Sequence, residues 1–277
     1  MKNKKKKGDK KIIKIKTVDI YCFTGTGNTY LAAKKIEETL KNSGCTVSIS
    51  DITKTDPEKI NLSNVIGIGF PIAVYNTFPV VKKFINNFPK AEMESKIFIF
   101  TTMGNNSLNA ALNFGDILKK KGYCIIGVGN FLMPNNFIAV QKKEENNILK
   151  REKAYEKMKI FAKELIDERS KLAKPNLFSR ICFVISGFIM DRWRSNLFQK
   201  IVRFNVAKSK CTKCCLCVKI CPVKNISFDG CYPVFNGKKC QVCMRCISYC
   251  PTKAIKSFFV GRTYKGLTDD EVKRCFL

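Results

Sequence analysis

Val18-Asp19-Ile20-Tyr21-Cys22-Phe23-Thr24-Gly25-Thr26-Gly27-Asn28-Thr29 is the stretch on which the reading of the fold turns. Residues 18–23 are apolar enough for a buried strand and run without a break into a string of small and hydroxyl residues. From Leu31 to Leu40, the apolar residues Leu31, Ala32, Ile36 and Leu40 then recur at helical spacing. Strand, tight loop and helix in that order make a phosphate cradle. Small residues let the backbone curl round an anion, the Thr24, Thr26 and Thr29 hydroxyls donate to its oxygens, and the helix N-terminus adds partial positive charge. Two rival motifs fail. A dinucleotide fingerprint needs a third glycine where Tyr30 stands, and a Walker A loop needs a Gly-Lys-Ser/Thr ending that is absent. A lysine-free loop of this kind suits the terminal phosphate monoester of FMN.

Outward from this loop the pattern repeats. Cys45–Ser50 reads as a short second strand, and Val65–Phe70, Lys96–Thr101 and Tyr123–Val128 as three more. Helical stretches lie around Phe78–Asn87 and Ser107–Lys121. Such alternation predicts a doubly wound α/β domain with a five-stranded parallel sheet, flavodoxin-like in size, over residues 17–175. A long helix is expected over Asn146–Arg169, with Tyr155, Met158, Ala162 and Leu165 in phase. Residues 176–206 form an apolar and basic connector containing ICFVISGFIM and the single tryptophan, Trp193. It reads as a helix packing on one or both domains, or as an interfacial membrane contact through Phe188, Trp193 and the flanking arginines.

The chain holds 15 cysteines and no histidine. Histidine-based catalysis, Rieske centres and Cys₂His₂ zinc sites are thereby excluded. Eight cysteines fall into two runs, Cys211-x-x-Cys214-x-x-Cys217-x-x-x-Cys221-Pro222 and Cys240-x-x-Cys243-x-x-Cys246-x-x-x-Cys250-Pro251, offset by 29 residues. Both continue into Pro-x-Lys-x-Ile, so the runs are an internal duplication. Three cysteines at this spacing let one winding loop present three thiolates to three irons of one cluster, and the cysteine before proline is carried to the other cluster. The spacing assigns Cys211, Cys214, Cys217 and Cys250 to one 4Fe–4S cluster, and Cys240, Cys243, Cys246 and Cys221 to a second. Paired zinc ribbons would leave half of these cysteines and both prolines unexplained. Cys215 and Cys231 lie off the pattern and read as non-ligating, as do the scattered Cys22, Cys45, Cys124, Cys182 and Cys275. Lys213, Lys219, Lys224 and Arg245 are expected to favour the reduced clusters. Residues 207–260 are therefore expected to be a small α+β two-cluster ferredoxin domain, followed by a tail over 261–277.

The string from Phe23 to Thr29 resembles the FMN phosphate loop of flavodoxins. The resemblance extends to Phe70–Pro79 and to Thr101–Asn106, where flavodoxins place the two loops that hold the isoalloxazine ring. Together with the cysteine repeat and Met133-Pro134-Asn135-Asn136-Phe137, the chain from about residue 17 to 260 resembles the EFR-type ferrodoxins, single-chain fusions of a flavodoxin-like domain and a two-cluster ferredoxin. The resemblance implies FMN held by Thr24, Gly25, Thr26, Gly27, Asn28 and Thr29 at its phosphate. It implies ring loops containing Pro71, Tyr75, Asn76, Thr102, Gly104 and Asn105, with Tyr75 stacking on the ring and Gly104 and Asn105 offering backbone contacts. The second ring loop has no aromatic, which leaves one ring face open or covered by the ferredoxin domain. An electron-transfer protein linking a redox donor to an acceptor is the expected function. The alternative is an FMN-dependent reductase of a quinone or other small oxidant, and a third class is a zinc-holding scaffold without redox chemistry.

The formal net charge of +29 admits an acidic redox partner, an anionic membrane surface or nucleic acid, beside plain compositional drift. No RNA-binding aromatic signature or helix-turn-helix accompanies the lysines, so nucleic acid ranks last. Residues 1–16 read as a basic tail with weak attraction to a membrane surface. With neither a spanning apolar segment nor an apolar leader, the expected location is the cytoplasm.

Overall fold

The structure, a computed structural model, describes residues 15–91, 95–135, 144–167, 172–195, 202–237, 239–257 and 265–277. The expectations for residues 1–14, for Asn136 and Phe137 and for the Trp193 side chain lie outside the described residues. Residues 15 and 16 are not tail, because Ile15 is buried and its carbonyl accepts from the Cys45 thiol at 3.3 Å.

Five strands, β1 (Thr17–Cys22), β2 (Thr46–Asp51), β3 (Val65–Pro71), β4 (Lys96–Met103) and β5 (Cys124–Leu132), form one parallel sheet in the order β2-β1-β3-β4-β5. This is the flavodoxin-like order, and the doubly wound expectation holds. Strand direction and order come from side-chain fit as well as hydrogen bonding. Gly67 and Gly69 of β3 lie in register with Phe98 and Phe100 of β4, whose rings fill the space a Cβ would take, at 2.5 and 2.1 Å. A side chain at either glycine would force the facing ring out of its place.

Helices cover both faces. α1 (Asn28–Asn42) buries Ala32, Ala33, Ile36 and Leu40 on one face, against Ala154, Met158, Phe161 and Leu165 of α4 (Glu144–Ile166). α2 (Pro79–Asn86) and α3 (Ala110–Lys120) cover the other face with Val81, Phe84, Ile85, Phe114 and Leu118. The connector contains α5 (Leu177–Ser195), strapped outside α3. Phe183 meets Phe114 edge-on at 4.9 Å, the Ser179 hydroxyl donates to the Leu108 carbonyl at 2.6 Å, and Arg180 pairs with Asp116 at 2.7 Å.

The cysteine-rich part is built on the sequence period. β6 (Phe204–Val206), α6 (Leu216–Lys219) and β7 (Ile226–Phe228) are followed by β8 (Pro233–Phe235), α7 (Arg245–Ser248) and β9 (Ile255–Ser257). β6 pairs antiparallel with β9 and β7 with β8, and Val202, Phe204, Ile226, Ile247 and Ile255 fill the core between them.

The expected tail over 261–277 is corrected. α8 (Asp269–Phe276) ends the chain with a full capping box, in which the Thr268 hydroxyl accepts from the Glu271 amide while the Glu271 carboxylate accepts from the Thr268 amide. α8 buries Val272, Cys275 and Phe276 with Ile220 and Tyr249 of the cysteine module and against Tyr30 and Leu31 of α1. The helix is thus the wedge between the two units. Thr268→Ala should lower stability by about 1 kcal/mol in denaturant unfolding, and Thr268→Ser should restore most of it.

Candidate functional site

The two cysteine loops have the same backbone. Lys213, Cys215 and Lys224 adopt left-handed φ of 60°, 55° and 49°, and their counterparts one period on, Val242, Met244 and Lys253, adopt 54°, 64° and 52°. A branched valine held there is strained. The gain is a winding that turns successive amides inward, the geometry of an anion nest. Amide-to-sulfur bonds repeat with the same period, since Asn225 N–H donates to Cys221 Sγ and Ala254 N–H to Cys250 Sγ, both at 3.2 Å.

One cavity is lined by Cys211, Cys214, Cys217 and Cys250, and a second by Cys221, Cys240, Cys243 and Cys246. The structure thus brings together the crosswise sets that the spacing predicts. Among the described residues no three ligating side chains converge closely enough to hold a single ion. Four thiols around one small cavity are the ligand number that a 4Fe–4S cluster takes. Burial pushes the Cys217 thiol up to about 11, with Cys214, Cys250 and Cys211 adding to it. Cys246 is raised well above its ordinary value by burial and by Cys243, Cys240 and Cys221. Thiols in such a setting ionise when a cation takes the proton's place. Cys215 also borders the first cavity, but its thiol leans on the Lys213 carbonyl at 3.5 Å.

The phosphate loop lies at the C-terminal end of β1, at the point where strand order reverses and doubly wound sheets bind ligands. Thr24, Gly25, Thr26, Asn28, Thr29, Pro71, Thr102 and Gly104 line one small cavity there, together with Ile72, Met103 and Pro134. The Thr24 hydroxyl accepts from Gly27 N–H at 3.0 Å, and the Thr29 and Thr102 hydroxyls meet at 2.8 Å. Asn28 donates to the Pro134 carbonyl at 2.8 Å, while its buried Oδ1 has no partner. Three threonine hydroxyls and the first-turn amides of α1 supply donors for a phosphate, and the orphaned Asn28 Oδ1 supplies an acceptor for a polyol hydroxyl. The residues fit the phosphate end of FMN.

Four residues expected at this site do not line the cavity. Val74 and Tyr75 both have left-handed φ, 49° and 57°, at the tip of a two-residue turn closed by the Ala73–Asn76 bridge, which leaves Tyr75 exposed. Asn76 is buried, donating to the Phe183 carbonyl of α5 at 3.0 Å and accepting from Thr77 N–H at 2.9 Å. It is a brace for α5. Asn105 lies outside the lining, and Gly27 caps α1 with φ 107°. Lys150 of α4, which no motif flags, donates to the Gly104 carbonyl at 2.6 Å.

The two sites meet back to back. A Cβ on Gly25 would stand 2.1 Å from the Cys243 carbonyl, and one on Gly27 would stand 2.9 Å from the Tyr249 hydroxyl. The glycines that let the loop face a phosphate also let the cysteine module touch its reverse side. Arg245, between Cys243 and Cys246, is buried and donates through Nε and Nη2 to the Thr24 carbonyl at 3.2 and 2.7 Å. Its Nη1 reaches the Ile220 carbonyl beside Cys221 at 3.3 Å, and Nη2 reaches the buried Asp51 carboxylate at 3.4 Å. The guanidinium lies between the rings of Phe276 (4.0 Å) and Phe23 (5.3 Å). The sequence reading treats Arg245 as a tuning charge for the cluster, whereas its contacts run mainly to the phosphate loop. Val80 N–H donates to Gln241 Oε1 at 3.2 Å, and Gly266 N–H to the Thr26 carbonyl at 2.9 Å, completing the seam.

Both parts of the chain have similarities to known proteins. The 4Fe–4S binding domain family matches residues 233–256, which contain the second cysteine run. The structure is similar to flavodoxin from Megasphaera elsdenii (21% identity, 53% of this chain and 98% of that one, TM-score 0.40). It is also similar to flavodoxin 1 from Bacillus cereus (15%, 55% and 97%, TM-score 0.41). A third similarity is to rubredoxin oxygen:oxidoreductase from Desulfovibrio gigas (15%, 56% and 37%, TM-score 0.39). No curated protein sequence matches. The chain joins a flavodoxin-like domain to a 4Fe–4S domain.

Removing the guanidinium would strand Asp51 in a buried site. Arg245→Met should therefore cost about 3–5 kcal/mol in anaerobic denaturant unfolding. Gly25→Ala should instead open the seam, seen as faster hydrogen exchange over residues 240–246 with the sheet unaffected.

Proposed function

We propose that the chain is an electron-transfer protein of the EFR-type ferrodoxin kind. It holds two 4Fe–4S clusters ligated crosswise, by Cys211, Cys214, Cys217 and Cys250 and by Cys240, Cys243, Cys246 and Cys221, together with FMN. The observation that carries the reading is the packing of the Cys240–Cys246 loop directly on the back of the phosphate loop, with the Cys243 carbonyl against Gly25. When bound, FMN exchanges two electrons and each cluster one, so their union on one chain suits a converter between one- and two-electron partners.

The chain's own residues supply position and field. The hydroxyls of Thr24, Thr26 and Thr29 and the first amides of α1 orient the phosphate, and the orphaned Asn28 Oδ1 is an acceptor for a polyol hydroxyl. Arg245, paired with Asp51, ties the cysteine loop to the phosphate loop through the Thr24 and Ile220 carbonyls. With both sites on one chain, transfer between them does not depend on collision. The external partner is a redox protein, and the excess of 51 basic over 22 acidic residues favours one with an acidic face.

A redox titration of anaerobically purified protein, followed optically and by EPR, should reveal flavin and two interacting clusters. If dithionite bleaches no iron–sulfur absorption, the proposal fails. Cys250→Ser should remove the cluster of the first loop while leaving that of the second, the reverse of what ligation within each run would give.

A reductase acting on a quinone or other small oxidant is favoured by one feature, the absence of an aromatic residue from Thr101–Asn106. Steady-state turnover with a panel of quinones distinguishes it, since a pure carrier should turn over only with protein partners.

A further inference from the structure

α5 has two unlike faces. Ser179, Phe183, Ser186 and Gly187 are turned inward, where Ser179 bonds to Asn113 and Leu108, Phe183 packs on Phe114, and Gly187 lies against Asn76. One helical step round, Leu177 (73% exposed), Ile181, Val184 (67%), Ile185 and Phe188 (69%) face solvent, with Phe178 at the margin. The outward side chains at these positions include no hydrogen-bonding group. The apolar surface continues onto the exposed Val74–Tyr75 turn, which Asn76 ties to the middle of the helix through the Phe183 carbonyl. Exposed apolar side chains grouped on one face of a helix mark an interaction site more often than single ones scattered over a surface do.

Charge selects the partner. The described stretch 172–195 carries Lys174, Arg180, Arg192 and Arg194 against one acidic residue, Asp191, and the exposed Lys119 and Lys120 border the adjoining groove. Asp116, the acid in that groove, is already paired with Arg180. Self-association through this face would bring together two chains of formal charge +29 each, which repel. Hydrogen-bonding groups lie at the edge of this face, on Tyr75 and Arg180, and the stripe of Leu177, Ile181, Val184, Ile185 and Phe188 has none of its own. An apolar stripe flanked by lysine and arginine matches the headgroup–acyl boundary of an anionic bilayer. No helix among the described residues is long and apolar enough to cross a membrane, so the contact is in-plane.

We infer that α5 and the Val74–Tyr75 turn form a docking face for an anionic lipid surface. The inference is independent of which cofactors the chain carries. Flotation of the full chain, purified anaerobically, tests it with phosphatidylcholine vesicles containing about one-third phosphatidylglycerol. The chain should float with these vesicles, less well in high salt, and not with phosphatidylcholine alone. The double variant Val184→Asp/Phe188→Asp should float at least about tenfold less with unchanged circular dichroism and visible absorption. Phe178→Ser, a milder change, should give an intermediate loss if the double variant folds poorly. Removal of residues 1–14 separates the tail from the patch, since the truncated chain should still float. The inference is overturned if the variants float as well as the parent, if the parent does not float, or if binding disappears with the tail alone. It is equally overturned if the parent is a dimer that the patch substitutions dissociate without any flotation.

Discussion

A buried guanidinium holds this molecule together. Arg245 is cut off from water, so its charge requires compensation within the protein, and the compensation comes from three separate parts of the chain. These are the Thr24 carbonyl of the phosphate loop, the Asp51 carboxylate at the end of β2, and the Ile220 carbonyl next to Cys221. Phe276 from the last helix closes over it. A buried ion pair contributes little net stability by itself, because desolvation offsets most of the attraction. Its effect is on geometry, since few other arrangements of these segments satisfy every donor. The hydrogen bonds of this one side chain, with the close backbone packing of Gly25 on Cys243, set the distance between the cysteine loop and the phosphate loop.

Those parts of the molecule that repeat or alternate were legible in the sequence. The sheet could be read because each strand is an apolar run and each connection a helix, a pattern that few topologies satisfy. The crosswise thiol sets could be read because the cysteine spacing determines which way the fourth cysteine leaves its loop. The three threonines and Gly25 fell into place for a similar reason, being consecutive and immediately downstream of a buried strand. What escaped was set by contacts between distant segments. Asn76 was expected at the ring site but braces α5, a partner more than a hundred positions away. Tyr75 became the tip of a tight turn, since Ala73 and Asn76 pair across it. Arg245 stands between two cluster cysteines in sequence, whereas its strongest hydrogen bonds go to the Thr24 carbonyl of the phosphate loop.

The final helix is a different kind of omission. Thr268-Asp269-Asp270-Glu271 is a capping signal, and Val272, Cys275 and Phe276 follow at helical spacing. A short segment at the end of a basic chain was read as tail, although its local chemistry specified a helix with an apolar side. That side has no surface to cover except the seam between the two units, and there it lies against Tyr30, Leu31 and Tyr249.

The strand pairing of the cysteine module has a consequence for how such a unit can arise. Taken as repeats, β6 and β7 belong to the first half, and β8 and β9 to the second. Yet among the described residues β6 pairs with β9 alone, and β7 with β8 alone. Neither half contains a hairpin of its own, so each completes its hydrogen bonding on the other about a pseudo-twofold axis. That is the symmetry of an isologous dimer, with the two subunits fused through the short segment between β7 and β8. A half released from the chain would need a second copy of itself to close its sheet.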